Sequence, residues 1–267
     1  MSETQCHEAS SIQVCSAKTG TTSIPSFSYP GGKARLANTI ISFMPKSGGI
    51  YAEPFAGRGN VFFRAASTLQ YSCWLLNDLR TDVFFRALLS HGNSVTVPAH
   101  TREEFERQKA ARLDNDTTAI LMEPYMTFSG GGYSAGYRSK KGSPLQHLYQ
   151  HTLRRAHQIL TDTQPTITNV DWEKVVSDLG EDDFAYLDPP YFDAKVHGYR
   201  PTDINYDEMV ELLKNARFRW LLSEYCQPIY LQAFGKPFWQ REVQLRATNF
   251  RHDGGKERRT ECLWRNY

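Results

Sequence analysis

The residues whose chemistry is easiest to name are Asp188-Pro189-Pro190-Tyr191, which follow the short apolar run Phe184-Ala185-Tyr186-Leu187. That run reads as a buried strand, so the tetrapeptide sits at a strand tip, where an α/β protein places its reactive groups. Consecutive prolines remove two backbone donors and fix two φ angles, which stiffens the turn and leaves its carbonyls free to accept from a ligand. Asp188 adds a side-chain acceptor and Tyr191 a flat aromatic face. Acceptors beside a stacking ring suit a planar ring bearing an exocyclic amino group, as adenine and cytosine do. Alone, the string also reads as a strand ending in an ordinary proline-rich turn, because fold context decides function.

Other candidate groups lie in the first third. Tyr29-Pro30-Gly31-Gly32-Lys33 delivers a lysine to a helix start. A Walker-type phosphate loop is excluded there: it needs Gly where Phe27 stands and Ser or Thr where Ala34 stands. Ile50 to Asn60, containing Glu53-Pro54-Phe55-Ala56-Gly57-Arg58-Gly59, reads as a strand and tight glycine turn leading into a helix over Val61 to Ala66. Gly57 and Gly59 let the backbone pass close to a ligand and present helix-start N–H groups. Cys73 to Leu76 reads as a second strand ending in Asn77-Asp78, and an acid at that tip can take the hydroxyls of a ribose. Each signal is weak alone. In this order and spacing they point to an adenosine-type cofactor.

The elements that must hold these groups alternate. Leu36, Ile40, Ile41 and Met44 mark one side of a helix ended before Pro45. Asn205 caps a helical run carrying Met209, Leu212 and Leu213, with Asp207 and Glu208 in its first turn. Phe218 to Ser223 reads as a strand, and Glu242 to Ala247 with Arg259 to Trp264 as a final pair joined around Gly254-Gly255. Alternation of this kind reads as a three-layer sandwich closed by an antiparallel hairpin.

With these motifs in order, the chain resembles the Dam-like (D12 class) DNA adenine-N6 methyltransferases, through the Gly-Gly-Lys loop, the Glu-Pro-Phe-x-Gly-x-Gly turn, the strand-tip Asp and the late Asp-Pro-Pro-Tyr. The resemblance covers about residues 27–92 and 165–267. It implies an α/β, Rossmann-like methyltransferase sandwich with a mixed sheet, interrupted at 93–164 by a mostly helical target-recognition insert; the Ser- and Thr-rich composition of 1–26 reads as a disordered tail before it. It implies S-adenosylmethionine held by Tyr29, Lys33, Glu53, Phe55, Gly57, Gly59, Asp78 and Asp188, and it matches Asp171 to a position that contacts the cofactor's adenine. Asp188, Pro189, Pro190 and Tyr191 then match the catalytic motif that receives a base flipped out of double-stranded DNA. Arg58 stands where the family usually has a small residue. Methylation of cytosine N4 or of RNA, or a catalytically silent cofactor-binding module, remain as alternatives. Cytosine-C5 chemistry is excluded, since none of the five cysteines follows a proline.

The insert carries the partner signal. Pro124 to Thr161 holds no Asp or Glu but contains Arg138, Lys140, Lys141, Arg154 and Arg155, interleaved with Tyr125, Phe128, Tyr133, Tyr137 and Tyr149. Basic groups bind phosphates and aromatics stack on bases. Singly, these residues read as a solvated face with core tyrosines; the acid-free block reads as a nucleic-acid surface, with Tyr133, Tyr137, Arg138, Lys140 and Lys141 as contacts. A second basic cluster, Arg251, Lys256, Arg258 and Arg259, falls near the last hairpin turn.

Composition sets outer bounds. A net charge of +2 over 267 residues proves no polyanionic partner by itself, and 40% hydrophobic residues suit a folded core. Cys6, Cys15, Cys73, Cys226 and Cys262 form no C-x-x-C pair, which argues against a zinc site and a secreted disulfide framework and for a reducing cytoplasmic setting, bacterial or phage-infected. No apolar stretch is long enough to span a bilayer. Neither metal nor membrane is expected, and a monomer is.

Overall fold

The computed structural model describes residues 23–139, 145–191, 204–245 and 257–267. Among these residues seven strands form one mixed sheet: β1 (Ser47–Glu53), β2 (Gln70–Asn77), β3 (Thr166–Thr168), β4 (Phe184–Leu187), β5 (Arg219–Tyr225), β6 (Trp239–Leu245) and β7 (Glu257–Arg265), in the order β3-β2-β1-β4-β5-β7-β6. β1 to β5 run parallel, and β7 inserts antiparallel between β5 and β6. The expected closing hairpin is therefore present, with β6 starting three residues before the sequence pattern suggests.

Side chains alternate across this sheet as the pleat requires. Tyr51, Phe184, Tyr186, Leu221 and Leu263 enter one apolar cluster, while Ala52, Ala185, Leu187, Leu222 and Trp264 enter the other. The first cluster is covered by α1 (Ala37–Ser42), α2 (Phe62–Ala65) and α3 (Asp82–His91). The second is covered by α7 (Trp172–Val176), α8 (Tyr206–Asn215) and α9 (Pro228–Phe234). The three layers are those the strand-helix alternation predicts. β4 is buried on both faces, which is why it reads as a continuous apolar run. Asn205 caps α8 as expected, accepting from the Glu208 N–H at 3.2 Å.

Between β2 and β3 lie α4 (Arg102–Leu113), α5 (Thr117–Met126), two short 3-10 turns and α6 (Gln146–Thr163). Thr101 and Asp116 cap α4 and α5. Tyr125, Tyr149, Leu153 and Leu160 join the same cluster as Phe27, Phe63 and Phe84, so the helical insert shares a core with the sheet. Ile24 already packs against that cluster, and Pro25 is buried.

The cysteines depart from expectation. Cys226, just past β5, forms a disulfide with Cys262 in β7, their Cα atoms 5.8 Å apart. Antiparallel pairing of β5 with β7 makes these residues neighbours, and a separation of 36 residues in sequence hides that. Among the described residues no helix is long and apolar enough to cross a membrane, and no cluster of His, Cys, Asp and Glu is placed to hold a metal.

Candidate active site

Strand order reverses between β1 and β4, and both strands deliver acids to their carboxyl ends, where open α/β sheets bind ligands. Asp188 follows the last residue of β4, and its Oδ1 accepts from Lys33 Nζ at 2.7 Å. The same ammonium donates to the Gly31 carbonyl at 3.0 Å and lies 3.7 Å from Glu261 Oε1 and 4.5 Å from the centre of the Tyr191 ring. One cation thus serves two carboxylates and an aromatic face. Burial pushes the Asp188 pKa up to about 6, against the pull of the Lys33 charge; the negative charge of Glu261 adds to the rise. Burial works against the charge on Lys33, but Asp188 and Glu261 outweigh it and hold its pKa above the ordinary value.

The proline turn is anchored from three sides. The Tyr191 hydroxyl pairs with Ser223 Oγ at 3.0 Å and donates to the Glu261 carboxylate, which also accepts from Ser223 at 2.8 Å. Its ring meets Tyr225 edge-on at 4.4 Å between centroids. The Pro190 carbonyl is not free: it accepts from the Tyr206 hydroxyl at the start of α8. Of the two carbonyls expected to face a ligand, that assignment leaves Pro189.

Across the switch point, Glu53 ends β1 and is 2% exposed. Burial raises its pKa to about 8, although the Tyr51 hydroxyl donates to it at 2.7 Å; the charge of Asp188 contributes to the rise. Phe55 packs against Trp172 with centroids 6.1 Å apart. Gly57 and Gly59 have φ of +53° and +69°, the left-handed region that favours glycine, and a Cβ on Gly59 would lie 2.9 Å from the Phe85 ring. Tyr29 packs on Gly57 from the other side.

Asp78, 5% exposed, organises this turn. Its Oδ2 accepts the Gly57 N–H at 2.9 Å, while Oδ1 accepts those of Arg80 at 2.9 Å and Thr81 at 3.0 Å. Burial raises its pKa and these backbone donors oppose the rise. The Thr81 side chain also approaches it, so this carboxylate is largely committed to holding the turn. Asp171 reaches the same edge differently: it precedes α7, its side chain is exposed, and Lys174 stands 3.7 Å away. The residue that brings its loop there is Asn77, which donates to the carbonyls of Pro54 and Val170 and accepts from the Val170 N–H.

In the insert, Tyr133 is 7% exposed, donates its hydroxyl to the Ala119 carbonyl at 2.8 Å and packs on Phe105. In the chain without DNA its ring and its hydroxyl are both committed to the core, rather than presented at the surface as the sequence suggests. Tyr137 is half-buried, hydrogen-bonded to His100 and covered by the Arg102 guanidinium. Arg138 is half-buried, which lowers its pKa. Lys140, Lys141, Arg251, Lys256 and the expected Gly254-Gly255 turn lie outside the described residues.

Glu261, Ser223, Tyr225 and Tyr206 are the site residues that the sequence reading missed. The late carboxylate carries no motif; only the β5–β7 register, Tyr225 opposite Glu261, brings it beside Lys33.

Residues 29–233 match the family model of the D12 class N6 adenine-specific DNA methyltransferases. The chain belongs to that family. It is 21% identical to the "Type II methyltransferase M1.LlaDCHI" of Lactococcus lactis subsp. cremoris, over 91% of this chain and 95% of that protein. It is also 25% identical to the "DNA N-6-adenine-methyltransferase" of Escherichia phage P1, over 62% of this chain but 24% of the phage protein. The D12 match runs from Tyr29 into α9 and so takes in Lys33, Glu53, Asp78 and Asp188, whereas Glu261 lies beyond it.

Proposed function

We propose that this D12 protein methylates the N6 amino group of adenines in double-stranded DNA, taking the methyl group from S-adenosylmethionine by direct in-line transfer to a flipped-out base. The observation that carries this reading is Asp188: a partly buried acceptor gripped by Lys33 on one side, whose charge acts on Glu53 of the glycine turn on the other. A base at Tyr191 and a donor at the turn would meet at that carboxylate.

The target amino group is a poor nucleophile because its lone pair is delocalised into the ring. Asp188 and the Pro189 carbonyl accept its two hydrogens and favour tetrahedral character at nitrogen, so positioning and charge complementarity supply most of the acceleration. Tyr191 stacks on the flipped base, with its ring plane fixed by Ser223 and Glu261. The methyl–sulfur bond breaks as the nitrogen–carbon bond forms, S-adenosylhomocysteine leaves, and the nitrogen sheds one proton by way of Asp188; no protein nucleophile takes part.

The turn suits the proposed donor. When bound, S-adenosylmethionine supplies a methyl group on a cationic sulfonium. A carboxyl such as Glu53, kept neutral near pH 7 by burial, ionises readily against an added cation. Asp78, at the tip of β2, accepts from a ribose hydroxyl beside the turn it holds. On the DNA side, Arg138, Lys140 and Lys141 contact phosphates, and the insert supplies the target-reading surface.

Incubation with tritiated S-adenosylmethionine and double-stranded DNA tests this, followed by digestion to nucleosides. Label in N6-methyldeoxyadenosine is the expected result. Label in N4-methyldeoxycytidine, or none in DNA, overturns the reading.

A further inference from the structure

Arg58 is where this chain departs from the family's usual small residue, and the structure shows what it does. It stands between Gly57 and Gly59 at the crown of the turn, yet is 3% exposed. Its side chain leaves the turn altogether. Nη1 donates to the Ser28 carbonyl at 2.7 Å and to the Gly130 carbonyl at 3.1 Å, while Nη2 pairs with the Glu123 carboxylate on α5. The guanidinium carbon lies 5.4 Å from the ring centres of both Tyr29 and Phe84. One side chain therefore joins the glycine turn, the segment leading to Lys33, helix α5 and the glycine-rich loop of the insert.

The surroundings are built for that junction. Gly130 has φ +69°, and a Cβ there would lie 2.0 Å from the Ser28 carbonyl oxygen, so only glycine lets the insert's loop approach this closely. Asn60, two residues beyond Arg58, exchanges a pair of 2.9 Å hydrogen bonds with the backbone of Phe27. Lysine would not replace Arg58, since a point charge cannot span two carbonyls and a carboxylate as a planar fork does. Burying such a pair gains little stability against apolar packing; what it fixes is geometry.

We infer that Arg58 is a positioning residue that couples the glycine turn to the insert, so that methyl donor and DNA bind with positive cooperativity. The inference rests on the methyl-transfer reading above. A donor that orders the turn fixes Arg58, and through it Gly130 and Glu123. By linkage, DNA that orders the insert's loop tightens the turn for the donor by the same factor.

The test is calorimetric titration of S-adenosylhomocysteine into the full chain, with and without a saturating pool of random-sequence 40-base-pair duplexes. In the unaltered protein DNA is expected to tighten the ligand at least about fivefold, the lower end of ordinary allosteric coupling. Arg58→Met is expected to bring that ratio to within about twofold of one, and Glu123→Gln to lower it while the carbonyl contacts of Arg58 persist. A purely structural role would lower the melting temperature and both affinities but leave the ratio alone. If Arg58→Met does not fold, Glu123→Gln decides the matter. An unaltered ratio in a folded variant, or no coupling in the unaltered protein, overturns the inference while the methyl-transfer reading stands. Failure of the unaltered protein to bind either probe overturns both.

Discussion

The tip of β4 and the helical insert both bury polar side chains among aromatics, but they balance them differently. At the strand tip Lys33 faces Asp188 and Glu261, Glu53 is pushed to about 8 and Asp188 to about 6, so buried acid exceeds the cation available to it. In the insert the hydroxyls of two buried tyrosines end on backbone carbonyls: Tyr133 on Ala119 and Tyr149 on Leu121. Satisfied hydroxyls rigidify a scaffold, whereas an excess of buried acid waits for positive charge or hydrogen-bond donors from a ligand.

The largest effect that this contrast predicts is at Asp188. Asp188→Ala is expected to lower kcat by at least about a thousandfold while S-adenosylhomocysteine binding stays within about tenfold, because the lost acceptor acts on the amino group in the transition state. Retained turnover would remove Asp188 from the chemistry and leave the excess acid at the tip unexplained.

Next in size is the pH dependence. Asp188 must be ionised to accept fully, so kcat/KM should fall as pH drops through about 6. Lys33 holds that pKa down. In Lys33→Met the counter-charge is gone, the folded pKa rises, and the acid limb should move upward by about one to three units. A limb that stays in place shows that another group titrates.

Asp78 tests whether the turn belongs with the strand tip or with the satisfied scaffold. Asp78→Ala should raise the dissociation constant for S-adenosylhomocysteine by about ten- to a hundredfold. Since Asp78 also holds the N–H groups of Gly57, Arg80 and Thr81, some of that loss comes from a loosened turn. Asp78→Asn keeps an acceptor for part of the turn and should lose less. Equal losses in the two variants assign the whole effect to the charge.

What was legible in the sequence follows the same division. Strand-tip groups announce themselves, because a stiff turn, paired glycines and an acid after an apolar run are local signals, and they place Lys33, Glu53, Asp78 and Asp188 at one sheet edge. Glu261 and Ser223 were illegible, since only the non-local β5–β7 register brings them to Tyr191. The Cys226–Cys262 bond was hidden for the same reason. Short elements such as β3, α7 and α9 carry too few residues for a periodic pattern. The burial of Tyr133 was illegible for another reason: an acid-free aromatic block looks the same in sequence whether its rings face DNA or one another.

Tyr133 allows the finest test, because the hydroxyl and the ring can be separated. Tyr133→Phe removes the hydrogen bond to the Ala119 carbonyl and should cost about 1 kcal/mol of folding stability by denaturant titration. If Tyr133 stays in the core when DNA binds, free and bound protein lose the same bond and DNA affinity is unchanged, which is the outcome the packing against Phe105 predicts. If the ring instead swings out to stack on a base, the unaltered protein must break that bond on binding and the variant need not. Tyr133→Phe would then bind DNA about fivefold tighter, the equivalent of the same 1 kcal/mol. A tighter complex would move Tyr133 from the scaffold to the DNA surface and show that the insert stores its recognition groups in its own core.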